Sequence, residues 1–136
     1  TSAVVFLLMD VSGSMTASKK FIARSYFFLM YQFLRYRYDN IDVVFISHTT
    51  DAQRVTEDQF FKRRSVGGTM MSSGLELSKQ IIDKEYHPSS WNIYTFYCGD
   101  GENWTDDNTM AIKLLKELKE INQLMVYAEI KGTTNF

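Results

Sequence analysis

The amino-acid sequence predicts a three-layer α/β fold, in which a mainly parallel central sheet carries helices on both faces. Continuous apolar runs, typical of strands buried on both faces, alternate with helical segments along the chain. The predicted element order is β-α-β-β-α-β-α-β, and such alternation favours a parallel sheet. The chain has 136 residues, of which 45% are hydrophobic, so it is long enough for one domain with its own core.

The first part of the chain supplies three strands and the longest helix. Residues 3–9 form an unbroken apolar run and are predicted to be a buried strand. Helical spacing runs from about residue 18 to residue 38. Because residues 26–31 are apolar nearly all round, we expect this helix to be buried on most sides or covered by another domain. Residues 41–47 are a second buried strand, and the more polar residues 53–56 are predicted to be an antiparallel edge strand.

The second part of the chain continues the alternation. A charged segment around Phe60 and Phe61 precedes a Gly-Gly loop at residues 67–68 and a helix from about residue 73 to residue 86. Residues 91–98 form a strand. Residues 105–107 are predicted to cap the next helix, which extends to about residue 121. Met110 is placed on the inward face of that helix and Glu117 on its solvated face, and residues 124–130 form the last strand.

Composition and charge exclude several classes of function. The net charge of −1 argues against a general attraction to nucleic acid or to an anionic membrane. No run of eighteen apolar residues occurs, and no signal peptide is visible. The single Cys98 cannot form an internal disulfide, which is compatible with a reducing compartment. The chain opens and closes abruptly, so we expect residues 1–136 to be one domain excised from a longer protein.

A short polar segment follows the first predicted strand. Asp10, Ser12 and Ser14 put one carboxylate and two hydroxyls on alternate residues, and Gly13 allows the loop to turn tightly. These side chains are hard oxygen donors, the ligand class that suits Mg²⁺, Ca²⁺ or Mn²⁺. The alternative is that Ser12 or Ser14 simply caps the following helix.

Two further residues are expected to converge on that segment. Asp100 follows the strand at residues 91–98, and Thr69 lies on the Gly-Gly loop. In open parallel sheets, ligands bind beyond the carboxyl ends of the strands where the strand order reverses. If the first strand is central and the strand at 91–98 is its neighbour, both carboxylates stand at that point. The sequence therefore predicts a divalent-metal site with five ligands: Asp10, Ser12, Ser14, Thr69 and Asp100.

These five residues resemble the metal-ion-dependent adhesion site of the von Willebrand factor A domain. The D-x-S-x-S motif, the threonine and the aspartate of a D-G pair all have counterparts here. Within that superfamily the chain is most similar to the bacterial YeaH/YhbH-type family. That closer resemblance rests on six segments, at residues 48–52, 60–61, 67–69, 72–77, 91–94 and 99–104. It implies a Rossmann-like fold, with the difference that the superfamily sheet usually has a sixth strand, whereas this chain is expected to stop after the fifth.

The resemblance also implies a function. The metal, most simply Mg²⁺, would keep one coordination position open for a carboxylate from a partner protein, so the domain would be an interaction module and not an enzyme. The family implies a cytoplasmic bacterial protein in which this domain is the C-terminal part. Partners in that group are a PrkA-type serine kinase or a SpoVR-type protein, in stress or sporulation responses.

Two other functions stay open from the residues alone. A strand-end aspartate near a metal also begins the aspartyl-phosphate hydrolases, but those require D-x-D, and Ser12 occupies the place of the second acid. No catalytic lysine stands out near the site. A structural domain with a vestigial site is the third alternative.

Four neighbouring residues have weaker claims to a role. Cys98 is expected to be structural, and His48 to bond a backbone group. Glu102 is either solvated or close to the site, and Trp104 is either a contact residue or packed.

Overall fold

The computed structural model describes residues 2–11, 15–62, 68–101 and 103–130. Five strands form a single sheet in the order β3-β2-β1-β4-β5. The strands are β1 (Ser2–Asp10), β2 (Asn40–His48), β3 (Ala52–Val55), β4 (Asn92–Gly99) and β5 (Leu124–Glu129). The helices are α1 (Ala17–Arg35), α2 (Glu57–Lys62), α3 (Met71–Glu85) and α4 (Asn108–Ile121), with one 3₁₀ turn at Thr105–Asp107.

The predicted fold class is confirmed. Strand β1 is central and pairs in parallel with β2 and β4, while β5 extends the parallel sheet beyond β4. Strand β3 is antiparallel to β2 and forms one edge, as the polar character of residues 53–56 predicted. The chain leaves β1 toward β2 on one side and reaches β4 on the other. The strand order therefore reverses between β1 and β4.

The alternation of side chains along β1 builds two cores. Ala3, Val5, Leu7 and Met9 face α1 and α2, and the residues between them face α3 and α4. Every residue from 3 to 11 is buried, so the strand is covered on both faces. The continuous apolar run follows directly from this position at the centre of the sheet.

Helix α2 was not assigned from the sequence, although its start carries a recognisable signal. The Gln59 N–H donates to Thr56 Oγ1 at 3.2 Å, and the Thr56 N–H donates to Gln59 Oε1 at 3.1 Å. This reciprocal pair is a capping box. Phe60 is fully buried, with its ring centroid 5.5 Å from that of Phe27 and 5.1 Å from that of Phe45. One aromatic side chain thus anchors this short helix to α1 and to the sheet.

Helix α1 corrects two expectations. Its N-cap is Thr16, whose side chain accepts from the Lys19 N–H, so the alternative that Ser12 or Ser14 caps the helix is wrong. The expectation that the helix is buried on most sides also fails within the described residues, because several of its large apolar side chains face solvent. Phe28 and Leu29 are 61% and 62% exposed.

Helix α4 corrects two more. Met110, placed inward by the sequence, is 48% exposed, whereas Leu114 and Leu118 are buried as expected. Glu117, placed on the solvated face, accepts a 2.6 Å hydrogen bond from Lys79 Nζ of α3. That pair ties the two helices of this layer together at their outer edge. No helix in the described part of the chain is both long and apolar enough to cross a membrane.

Candidate metal centre at the carboxyl edge of the sheet

Asp10 and Thr69 come together at the carboxyl end of β1. Asp10 is the last residue of the strand and is only 1% exposed, and the Thr69 hydroxyl donates to its Oδ2 at 3.5 Å. Gly99, at the end of the neighbouring β4, has no side chain, and a Cβ there would lie 3.6 Å from Asp10 Cβ. The end of β4 therefore passes close to the Asp10 carboxylate. A buried carboxylate beside a hydroxyl is a suitable start for a hard-cation site.

Asp100 follows β4 directly and makes an ion pair with α1. Lys19 Nζ donates to Asp100 Oδ2 at 3.4 Å, and the two side chains are 16% and 4% exposed. The lysine was not singled out in the sequence, because nothing in a helical sequence reveals which side chain reaches across the sheet edge. It brings one positive charge to a site with two carboxylates. A cation that binds Asp100 must share that carboxylate with Lys19 or displace the ammonium.

The loop that carries Thr69 is held from both sides by backbone hydrogen bonds. The Met70 N–H donates to the Thr49 carbonyl at 2.8 Å, which fixes the loop to the end of β2. The Trp104 N–H donates to the Thr69 carbonyl at 3.2 Å, which fixes it to the segment that follows β4. The position of the Thr69 hydroxyl is therefore set by the neighbouring loops as well as by its own.

Asp107 caps α3 rather than the helix that it precedes. Helix α3 has no side-chain cap of its own, and its first N–H groups need partners. The Ser72 N–H donates to Asp107 Oδ2 at 2.9 Å, and the Ser72 hydroxyl donates to Asp107 Oδ1. The Met71 N–H donates to Asn103 Oδ1 at 2.8 Å.

The expectation that residues 105–107 cap α4 is therefore wrong for Asp107, whose carboxylate serves α3 instead. Its charge is buried and fully used. Because α3 begins two residues after Thr69, this cap fixes the start of that helix next to the site.

His48 lies behind Asp10 and is neutral. It is the residue paired with Asp10 across β1 and β2, it is 1% exposed, and burial lowers its pKa despite the neighbouring carboxylate. Its Nδ1 lies 3.3 Å from the Thr49 carbonyl, which can only accept, so Nδ1 carries the proton. Nε2 then accepts from the Tyr97 hydroxyl at 2.6 Å. The expected backbone bond of His48 is present, and both ring nitrogens are used.

Three other candidates are placed as follows. Cys98 is fully buried and burial raises its pKa to about 12, so the thiol has the character of a structural cysteine. Trp104 is 50% exposed, yet its indole also covers Gly68, where a Cβ would collide with the ring. It thus packs on the loop and still offers half of its surface. Glu102 lies outside the described residues.

Comparison with known proteins places the chain in a family. Residues 1–135 match the family described as "Protein of unknown function (DUF444)". The chain belongs to this family. A UPF0229 protein of Ruminiclostridium cellulolyticum is 53% identical over 129 residues, which are 95% of this chain and 32% of that protein. One from Pseudomonas savastanoi pv. phaseolicola is 47% identical over 131 residues, 96% of this chain and 31% of that protein. The chain thus spans about one third of the length of these relatives.

Solved structures confirm the fold at low sequence identity. The manganese-loaded TRAP protein of Plasmodium vivax is similar over 98% of this chain and 59% of its own, with a TM-score of 0.64 and 13% identity. BatB of Bacteroides thetaiotaomicron matches over 91% of this chain and 65% of its own, with a TM-score of 0.59 and 21% identity. This DUF444 domain therefore has a von Willebrand factor A-like fold.

The family member thus brings together part of the predicted site. Asp10 and Thr69 are in contact, and Asp100 stands at the end of the neighbouring strand. Ser12 and Ser14 lie outside the described residues, so their place in the site stays a prediction. Among the described residues no three His, Cys, Asp or Glu side chains form a metal-binding group, and the predicted set contains only two carboxylates. The donors that are described fit a hard cation held mainly by hydroxyl and carboxylate oxygens.

Proposed function

We propose that this domain is a metal-dependent protein-interaction module. A divalent cation held by Asp10, Ser12, Ser14, Thr69 and Asp100 would be shared with an acidic residue of a partner protein. The observation that carries this proposal is the contact of the Thr69 hydroxyl with the buried Asp10 carboxylate, 3.5 Å apart, at the point where the strand order reverses. A structural domain would gain little from burying a carboxylate there, because burial of a charge is costly unless a partner compensates it.

Mg²⁺ is the ion that the donor set favours. The ligands are two carboxylates and three neutral hydroxyls, with no thiolate or imidazole, which suits an ion that prefers octahedral oxygen geometry and keeps some of its waters. Mn²⁺ and Ca²⁺ are alternatives with the same ligand class. When bound, the ion supplies a positive centre that attracts a partner carboxylate. The fold neighbour from Plasmodium vivax is described as manganese-loaded, which supports a test of Mn²⁺ as well.

A phosphohydrolase is the second candidate, and one observation favours it. Lys19 lies 3.4 Å from Asp100, so a lysine does stand beside the site, against the expectation from the sequence. The general acid is still missing, because Ser12 stands where a second aspartate would be required. We therefore propose that the domain is not an enzyme. Hydrolysis of a phosphate ester that requires both Mg²⁺ and Asp10 would contradict this assignment.

The biological setting is also part of the proposal. Relatives that match nearly the whole chain are about three times its length, so the domain would act within a longer polypeptide. The family resemblance suggests a cytoplasmic protein, with a PrkA-type serine kinase or a SpoVR-type protein as partner in a stress or sporulation response. Either candidate would supply an acidic residue to the metal.

The test compares binding of these candidate partners in Mg²⁺ and in EDTA. We expect EDTA to weaken binding by more than the roughly 0–1 kcal/mol of a surface ion pair, because direct contact of a carboxylate with a metal needs both groups. Thr69→Val, which keeps the volume and removes the hydroxyl, should weaken binding in Mg²⁺. Lys116→Ala, an exposed change on α4, is the control. Equal binding in EDTA, or equal behaviour of the two variants, would contradict the proposal.

A further inference from the structure

The outward face of α1 is apolar, although nothing among the described residues covers it. Six large side chains are exposed, from 45% for Ile22 to 91% for Tyr36. Together they form what we call the α1 stripe: Phe21, Ile22, Phe28, Leu29, Phe33 and Tyr36. Single exposed apolar residues are ordinary on a protein surface, but a contiguous row of this size marks an interaction site.

The stripe is a face of the helix and points away from the core. At 3.6 residues per turn, its members fall within about 140° of the helix circumference. Ala23, Phe27 and Leu34, which are buried against the sheet, lie on the opposite side. A second helix lying on the sheet beside α1 would touch only the flank of the stripe. Its cover must therefore sit on top of α1, away from the sheet.

The shape of the stripe suits a helix. Ser25 lies in the middle, where a small side chain leaves a groove between the larger residues before and after it. Its hydroxyl donates to the Phe21 carbonyl at 3.2 Å, so an apolar cover would leave that hydroxyl with a partner. A cavity of about 390 Å³ opens along one flank and is lined in part by Phe28, Tyr31 and Phe45. A side chain from the covering element has space to enter it.

The charge of α1 selects among possible occupants. Residues 17–35 contain two lysines and two arginines and no acidic residue. Arg24 and Arg35 are exposed and border the stripe on the side of Phe28. A second copy of this chain would set two basic helices against each other, which like-charge repulsion disfavours. An anionic bilayer is disfavoured because the chain as a whole has a net charge of −1.

We propose that the α1 stripe is the docking surface for an amphipathic helix from another part of the longer polypeptide, one that carries acidic residues along the edge facing Arg24 and Arg35. The source of the helix is argued from length, since relatives matching 95% or more of this chain extend to about three times its size. This contact is separate from the metal centre and goes beyond the function proposed above. Such a helix would bury the apolar row and pair its acidic edge with the arginines.

The test uses the complete protein and measures how fast a cysteine on the stripe reacts with a maleimide. Leu29→Cys places the thiol in the stripe, and Lys116→Cys places a matched thiol on the exposed face of α4. Reaction is read by peptide mass spectrometry, so the native and fully buried Cys98 does not interfere. We expect Leu29→Cys to react at least about tenfold more slowly than Lys116→Cys, since reaction must wait for the docked helix to open.

Two further variants keep the result interpretable. Phe33→Cys repeats the measurement further along the stripe, in case one substitution itself loosens the contact. Arg35→Glu, combined with Leu29→Cys, should speed the reaction by opposing the acidic edge of the docked helix, whereas Lys116→Glu in the same background should not. If Arg35→Glu has no effect, the acidic character of the occupant is wrong.

Other outcomes overturn the proposal. Equal reaction of both stripe cysteines and the α4 cysteine would mean that the stripe is uncovered in the complete protein. Protection that grows with protein concentration would identify a second copy as the occupant. Protection that appears only on addition of vesicles of phosphatidylcholine and phosphatidylserine would identify a membrane surface.

Discussion

The carboxyl edge of the sheet and the outward face of α1 depart from the usual distribution of polarity in opposite directions. At the sheet edge, a carboxylate is buried, with Asp10 only 1% exposed. On α1, a row of aromatic and aliphatic side chains is exposed, with Phe21 at 71%. Buried polar groups and large exposed apolar patches are the two observations that carry information about function in a soluble protein.

The two regions differ in how their unusual groups are supported. The polar groups near Asp10 bond one another and the three loops around them, so their positions are set within the domain. The side chains of the α1 stripe have no such support, and their exposure has a cost that only another surface can remove. The first region is thus organised for a small ligand. The second requires a large and complementary one.

The largest expected effect separates the two sides of α1. Leu34 is 1% exposed and Leu29 is 62% exposed, on the same helix. In the 136-residue chain, Leu34→Ala should lower the free energy of unfolding by about 2–5 kcal/mol because it leaves a cavity. Leu29→Ala should change it by no more than about 0.5 kcal/mol. Urea denaturation measures both, and equal costs would show that Leu29 is packed within this domain.

The same pair also sharpens the comparison. In the complete protein, the cost of Leu29→Ala should rise above its value in the 136-residue chain, because a docked helix turns an exposed side chain into a buried one. The cost of Leu34→Ala should be the same in both.

The next effect concerns the support of the sheet edge. Asp107 accepts from the backbone and the hydroxyl of Ser72, and it is 5% exposed. Asp107→Ala should cost about 1.5–3 kcal/mol of unfolding free energy, the range for hydrogen bonds to a charged group. The neighbouring Asp106 is exposed, and Asp106→Ala should stay within about 0.5 kcal/mol. If the two variants unfold at the same urea concentration, the cap of α3 by Asp107 is not a stabilising contact.

A smaller effect is expected from Lys19, which links the two regions because it lies on α1 and pairs with Asp100. Lys19→Met keeps the aliphatic stem and removes the positive charge that competes with a cation. It should tighten Mg²⁺ or Mn²⁺ binding by up to about tenfold, or roughly 1.4 kcal/mol. Calorimetric titration measures this change. Weaker binding in Lys19→Met would instead show that the lysine helps to organise the site.

The sequence predicted the sheet well because its information is local. A central strand must be apolar on both faces, and an edge strand can be short and polar, so residues 3–9 and 53–56 reveal their own places. The carboxyl ends of β1 and β4 then bring Asp10 near Asp100 by topology alone.

The partners of these residues were less predictable, because they depend on contacts between distant segments. Nothing in the sequence tells that Lys19 reaches Asp100 or that Asp107 serves α3 instead of α4. The apolar helical spacing of α1 was equally ambiguous. Periodicity identifies an apolar face but not what covers it, and two apolar faces on one helix give a signal of full burial.

The account rests most directly on the metal, and thermal unfolding in increasing Mg²⁺ or Mn²⁺ tests it. A ligand that binds only the folded state stabilises it by mass action, by about 2.7 kcal/mol at a hundred times the Kd. We expect the melting temperature of the parent protein to rise with metal concentration and that of Asp10→Asn, which keeps the shape and removes the charge, to stay constant. An Asp10→Asn protein whose melting temperature rises as much as that of the parent would contradict the proposed metal centre.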